Sequence, residues 1–184
     1  MNSPKKLHRT DTALVLVDIQ EKLFPAMRGG ETLRRNALNL LKAAELLGLP
    51  VLVTEQYPQG IGHTLEDLKD AAGSAPVFEK LAFSVWGSPA FHDALNDLDV
   101  NRVLLAGIEM HICVAQSALD LVRHGYDVFV ARDASSSRRE GDFVTAEHRL
   151  RQAGAIVTTT EAALFELLEE AGTEEFKQVL KIVK

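Results

Sequence analysis

Short apolar runs rich in β-branched residues alternate with longer stretches of helical period along almost the whole chain. Residues 13–17, 51–54, 76–78, 102–106, 127–131 and 155–158 read as strands. Most of these runs are continuously apolar rather than alternating, as expected of strands buried on both faces. Residues 31–47, 89–98, 112–124 and 141–152 carry the helical pattern between them, and 161–170 and 173–182 follow the last strand. Strand then helix, repeated, predicts an α/β fold: a three-layer sandwich with a six-stranded, mostly parallel sheet of Rossmann-like winding. The punctuation agrees, since Gly48 with Pro50, Gly125 and Gly154 fall where a helix must end before the next strand. The longest stretch without a pattern is 55–74, and a long loop in a compact domain is more often functional than idle.

Composition narrows the picture. A chain of 184 residues that is 46% hydrophobic and 25% charged is expected to form one domain across 1–184, with 1–12 a loose leading segment. A formal net charge of −6 argues against a surface that tracks phosphates, so no nucleic-acid partner is expected. The apolar run at 13–17 stops at Asp18, too short for a signal peptide or a membrane span, so the expectation is a cytoplasmic protein that does not meet a membrane. A single Cys suits a reducing compartment.

In open parallel sheets ligands bind beyond the carboxyl ends of the strands, which directs attention to the residues that follow each run. Cys113 lies in the segment LLAGIEMHICV, where a strand passes through Gly107 into a helix. A thiol in the first turn of a helix feels the positive end of its dipole, which favours thiolate and suits a nucleophile; buried Cys is equally a small hydrophobe. Asp18 breaks the run LVLVDIQ, where it serves either as a proton acceptor or as a carboxylate tying a loop. Lys80, in VFEKLAFSVW, is either a cation beside the reacting atoms or an ordinary solvated side chain. Together the three supply carboxylate, cation and thiol along one sheet edge. Phe24, Gln56, Tyr57 and Trp86 lie near the same edge as candidate substrate-binding walls. His111 suggests a Cys-His pair instead, but residues two apart on a helix do not face each other. The serine run at 135–137 lacks the G-x-S-x-G elbow of a serine nucleophile and reads as a polar loop.

On the early LVxxDxQ with Phe24 soon after, the Lys of FEKLAFS, and G-I-E-x-x-x-C-V from Gly107 to Val114, the chain resembles the isochorismatase-like cysteine hydrolases, which include nicotinamidases and N-carbamoylsarcosine amidohydrolases. The segments TEQYPQGIGHT and DASSSR place the resemblance with the isochorismatase-domain-containing subgroup. The resemblance implies a catalytic triad of Cys113 as nucleophile, Asp18 as base and Lys80 as the cation beside both. It also implies a cis peptide at Ile108 and Glu109 that turns the Glu109 N–H inward beside that of Cys113 as an oxyanion hole, and a homo-oligomer, dimer or larger. The C-terminal helices, with Phe165, Leu167, Leu168, Phe176 and Leu180, could serve such an interface or pack on their own sheet. Nicotinamidases bind zinc through an Asp-x-His pair after the second strand. Here that place holds Glu55-Gln56-Tyr57 and His63 stands alone, so no metal and no other cofactor is expected. The function implied is metal-independent hydrolysis of an amide-like C–N bond of a small molecule through a thioester. The alternative is a binding protein on the same fold with an inert thiol.

Overall fold

The computed structural model describes residues 5–184. Its centre is β1 (Thr12–Val17), whose six residues are all buried, as the apolar run requires. β1 pairs in parallel with β2 (Val51–Gln56) on one side and β4 (Arg102–Ile108) on the other. β3 (Val77–Lys80) forms one edge, and β5 (Asp127–Ser136) followed by β6 (Ile156–Thr158) forms the other. The order β3-β2-β1-β4-β5-β6 is parallel throughout. The winding therefore reverses between β1 and β4, and a crevice opens beyond their carboxyl ends at that reversal.

Helices cover both faces. On one lie α1 (Gly30–Leu47), then, after the four-residue α2 (Pro58–Ile61), α3 (Glu66–Ala72). α4 (Pro89–Asn96), α5 (Ala115–Arg123) and α6 (Glu140–Gln152) cover the other, and α7 (Thr160–Leu168) with α8 (Glu174–Val183) return to the first. Two apolar cores result. Leu33, Leu40, Leu68, Leu164 and Val179 close on Leu14, Leu16 and Leu104 on the first face. Phe91, Leu95, Leu121 and Leu150 close on Val15, Val17, Leu105 and Cys113 on the second.

Three expectations change. The region 55–74 is not all loop, because α2 and α3 lie within it; Leu68 is the only fully buried side chain of α3, which leaves too little periodicity to see in the sequence. Leading residues 5–11 are tied down: Leu7 is fully buried, its N–H reaches Glu166 Oε2 at 2.9 Å, and Arg9 donates to the Leu47 carbonyl at 3.1 Å. A lone apolar residue among charges gives no pattern, although one buried Leu is enough to anchor a strand's approach. Residues 1–4 lie outside the described residues. Finally, helix 112–124 starts earlier, with a π turn over Met110–Val114 ahead of α5.

Gly107 sets how closely β1 and β4 meet. It lies opposite Val17 in register with φ +140°, and a Cβ built on it would fall 2.0 Å from the Val17 carbonyl oxygen. Neither backbone has room to yield. Past this point β4 and β5 lose simple register: Leu105 faces Val130 but Gly107 faces Ser135, so β5 carries extra residues that bring its serine run beside the end of β4. We predict that Gly107→Ala destabilises the fold by about 3 kcal/mol or more. Gly48→Ala, at φ +70° with nothing within 4 Å of the new carbon, costs about 1 kcal/mol. Denaturant midpoints of the two variants check the contrast.

Candidate active site

The carboxyl ends of β1, β2 and β3 present Asp18, Thr54 with Gln56, and Lys80. Asp18 turns the chain out of β1 in the left-handed region, φ 52°, while its N–H still reaches the Thr54 carbonyl of β2 at 3.1 Å. Its carboxylate is held on both oxygens: Thr54 Oγ1 donates to Oδ1 at 2.7 Å and Lys80 Nζ donates to Oδ2 at 2.6 Å. Neither charged side chain exposes any surface. Lys80 Nζ also points at Gln56 Oε1 at 2.9 Å and at the carbonyls of Phe83 and Ala82 at 3.0 and 3.3 Å. A buried ion pair is tolerated when the remaining hydrogen-bonding capacity is satisfied in this way; removing one partner costs about 3–5 kcal/mol.

Cys113 is brought to the same place from the other side of the reversal. It lies in the π turn after β4, 5% exposed. Burial first, then the negative charge of Asp18, push its thiol up to about 12. A hydrogen bond to Asp18 acts in the same direction, while Lys80 and the backbone N–H of Glu109 act against it. The Ile108–Glu109 peptide bond is cis. The expectation of a dipole-stabilised thiolate is therefore corrected: the thiol keeps its proton at neutral pH, because burial and the negative charge of Asp18 outweigh the effect of Lys80. The Cys113 turn is tied down through Ser117, which donates to the Cys113 carbonyl at 2.6 Å and accepts from the Val85 N–H at 2.9 Å. The Glu109 side chain serves a different task, accepting from the Arg138 N–H at 3.0 Å and from its Nε at 3.1 Å.

The expected walls separate into two groups. Gln56 is at the site, but both ends of its amide are in use: Oε1 on Lys80 and Nε2 on the Leu81 carbonyl at 2.8 Å. It orients the ammonium rather than facing open space. Tyr57, at φ 38°, donates its N–H to the Lys80 carbonyl at 2.9 Å, and its half-exposed ring shares a recess of about 270 Å³ with Pro58, Glu79, Lys80 and Leu81. Phe24 belongs to the core opposite the one that holds Cys113, where it packs against Gly30. Trp86 is directed away as well, stacked on His124 at 4.1 Å and edge-on to His92 at 4.4 Å. His124 closes α5 at the end remote from the Cys113 turn, and an indole flanked by two imidazoles buries more of its surface there than at a polar sheet edge. His111 Nδ1 meets Ser137 Oγ at 2.9 Å, so no Cys-His pair forms. His63 has a partner too. Burial tends to raise the Glu55 pKa, but bonds from the Thr64 N–H, the His63 ring and the Thr64 hydroxyl outweigh it and hold that carboxyl below its ordinary value. Thr54 was not foreseen, although a Thr ending an otherwise apolar run is a signal that something beside it needs a hydroxyl.

Residues 12–162 match the model of the isochorismatase domain. The chain belongs to the isochorismatase family. Isochorismatase family protein 1B of Dictyostelium discoideum is 36% identical over 94% of this chain and 86% of its own length. The secreted isochorismatase effector Isc1 of Phytophthora sojae is also 36% identical, over 94% and 84%, so the family does not fix a cellular compartment. No helix among the described residues is long and apolar enough to cross a membrane. Among solved structures, one described as MAR1 ribonuclease from Caenorhabditis elegans is 38% identical with a TM-score of 0.92, covering 97% of this chain and 92% of that one. YcaC from Pseudomonas aeruginosa, solved with hexane-2,5-diol and covalent acrylamide, is 26% identical with a TM-score of 0.93, over 99% and 93%. The YcaC gene product of Escherichia coli, described as an octameric hydrolase of unknown specificity, has the same identity and TM-score over 99% and 92%. The chain is thus a member of the isochorismatase-like hydrolase family, and it shares one α/β fold with these solved neighbours.

The single cysteine makes its acidity measurable. Alkylation of the native chain by iodoacetamide is expected to keep accelerating between about pH 7 and about pH 10 without a plateau, because the thiol stays protonated throughout. Asp18→Asn removes the negative charge that helps raise the thiol and leaves the Lys80 cation uncompensated, so its plateau moves into that range, whereas Lys80→Met does not bring one in. Rates read by intact mass decide the matter, and a plateau near the ordinary thiol value in the native chain contradicts it.

Proposed function

We propose that the protein is a cysteine hydrolase that cleaves an amide-like C–N bond of a small molecule, without a metal, through a thioester on Cys113. The observation that carries this reading is the convergence of thiol, carboxylate and ammonium in one buried cluster, with Asp18 bonded to Lys80 and acting directly on the Cys113 thiol. Because the resting thiol is protonated, attack and deprotonation have to occur together. Asp18 takes the proton as Sγ bonds to the substrate carbonyl carbon. The N–H groups of Glu109 and Cys113 receive the developing oxyanion, and Lys80 offsets charge on the same side. Protonated Asp18 then gives its proton to the departing nitrogen as the C–N bond breaks. Water, deprotonated by Asp18, adds to the thioester; Sγ leaves and is reprotonated, releasing the acid.

A small substrate is favoured because the reacting side chains are almost entirely enclosed. The half-exposed rings of Tyr57 and Phe83 with Leu81 beside Lys80 favour one whose far end is apolar. That the Pseudomonas aeruginosa relative carries acrylamide covalently supports access by a small amide to a nucleophile in this fold. The octameric Escherichia coli relative supports a homo-oligomer here.

The ribonuclease description of the Caenorhabditis elegans relative favours a second reading, cleavage of RNA. Against it stand the net charge of −6 and a site too enclosed to admit a polymer.

In an ammonia-release screen of small amides and ureas, the native chain is expected to turn over at least one compound. Cys113→Ala and Asp18→Asn each lower the rate by about a thousandfold or more, and a chelator leaves it unchanged. RNA is expected to survive equally in the native chain and in Cys113→Ala. Activity that persists without the thiol, or turnover of RNA and no amide, overturns the proposal.

A further inference from the structure

The serine run at 135–137 divides into two occupied hydroxyls and one that is not. Ser136 Oγ donates to the Arg28 carbonyl at 2.6 Å and Ser137 Oγ meets His111 Nδ1 at 2.9 Å. Ser135 is 6% exposed, and its Oγ is buried with no hydrogen-bond partner. A buried hydroxyl left without a partner is an uncompensated cost of folding, and such groups in otherwise satisfied structures call for an explanation.

The register says which way Ser135 faces. It lies opposite Gly107, and Gly107 lies opposite Val17, the residue before Asp18. On β5, Ala134 belongs to the core on the α1 face, and Ser136 reaches Arg28 just ahead of α1. Ser135, between them, therefore faces the other side, where Val17, Leu105, Met110 and Cys113 pack. The residue separating Ser135 from Val17 along this row is a glycine, so no side chain stands between the hydroxyl and the end of β1. The unpartnered donor thus lies on the nucleophile's face of the sheet, in the same cross-strand row as Val17, the residue before Asp18.

We infer that the Ser135 hydroxyl is a substrate-binding group that hydrogen-bonds the amide of the molecule held at Cys113, and that it selects for uncharged, hydrogen-bonding substrates over apolar ones of the same size. The inference rests on the hydrolase reading of Cys113. Its physical content is an asymmetry: a site built to pair a buried hydroxyl discriminates strongly against a ligand that leaves it unpaired.

Two alkylating reagents of similar size test it on the full-length chain. Iodoacetamide carries an amide and allyl iodide carries no hydrogen-bonding group; with each, Sγ bonds to carbon and iodide leaves. Ser135→Ala is expected to slow the iodoacetamide reaction of Cys113 by about tenfold or more and to leave the allyl iodide rate within about twofold, while Ser135→Thr keeps the native ratio. The thermal midpoint of Ser135→Ala is expected not to fall, since no bond within the protein is lost. Rates with the two reagents that stay unchanged or fall in parallel overturn the inference, as does a marked loss of stability, which identifies a structural hydroxyl. Failure of the underlying reading has a different signature: alkylation of the native chain that is indifferent to Asp18→Asn. Inertness of folded Cys113 to both reagents overturns the two together.

Discussion

A carboxylate and an ammonium held 2.6 Å apart with no access to water form the contact on which the site depends. Taking both charges out of solvent is expensive, and their mutual attraction repays it only when every remaining proton and lone pair has a partner. The protein meets that condition with groups from β2 and from the loop that follows β3. The hydroxyl of Thr54 occupies the second oxygen of Asp18, and the amide of Gln56 with two carbonyls of the following loop surrounds Lys80. Register makes this possible, since Val17 lies opposite Thr54 and Gln56 opposite Lys80. A one-residue slip of either pairing would turn those side chains to the wrong face.

The same pair, together with burial, sets the state of the thiol. Lys80 stabilises thiolate only with whatever charge Asp18 leaves uncompensated. Burial comes first and the charge of Asp18 second, and together they outweigh Lys80, so the balance favours a protonated Cys113 with a hydrogen bond to Asp18. A permanently ionised thiolate would be open to oxidation and off-target alkylation. A thiol that loses its proton only on attack is protected until a carbonyl is in place. The lone cysteine of the chain is thus compatible with a nucleophile that is quiet at rest.

Much of this was legible before any coordinates. The apolar runs predicted all six strands, because strands buried on both faces carry their signal in composition rather than in a long period. Asp18, Lys80 and Cys113 stood out as polar or reactive residues where such runs end, and the structure brings all three together. Other features were hidden for physical reasons. Trp86 and Phe24 follow strands in sequence, but an aromatic ring goes where it can bury most surface, and the imidazoles of His92 and His124 or the core against Gly30 offered more than the sheet edge. The acidity of Cys113 depends on a partner 95 positions away in sequence, 113 − 18, and on burial, neither of which a helix dipole argument includes. The unpaired hydroxyl of Ser135 is visible only once its neighbours' partners are known.

The central claim is that Cys113 forms a covalent acyl intermediate in this cluster. Its most direct test is intact mass and peptide mapping of the chain quenched with acid shortly after mixing with 4-nitrophenyl acetate, an activated acyl donor. The account predicts one acetyl group per chain, on the peptide that contains Cys113, lost with time in the native protein and absent in Cys113→Ala. An acetyl group found elsewhere, or none on Cys113 while the folded chain is intact, contradicts it.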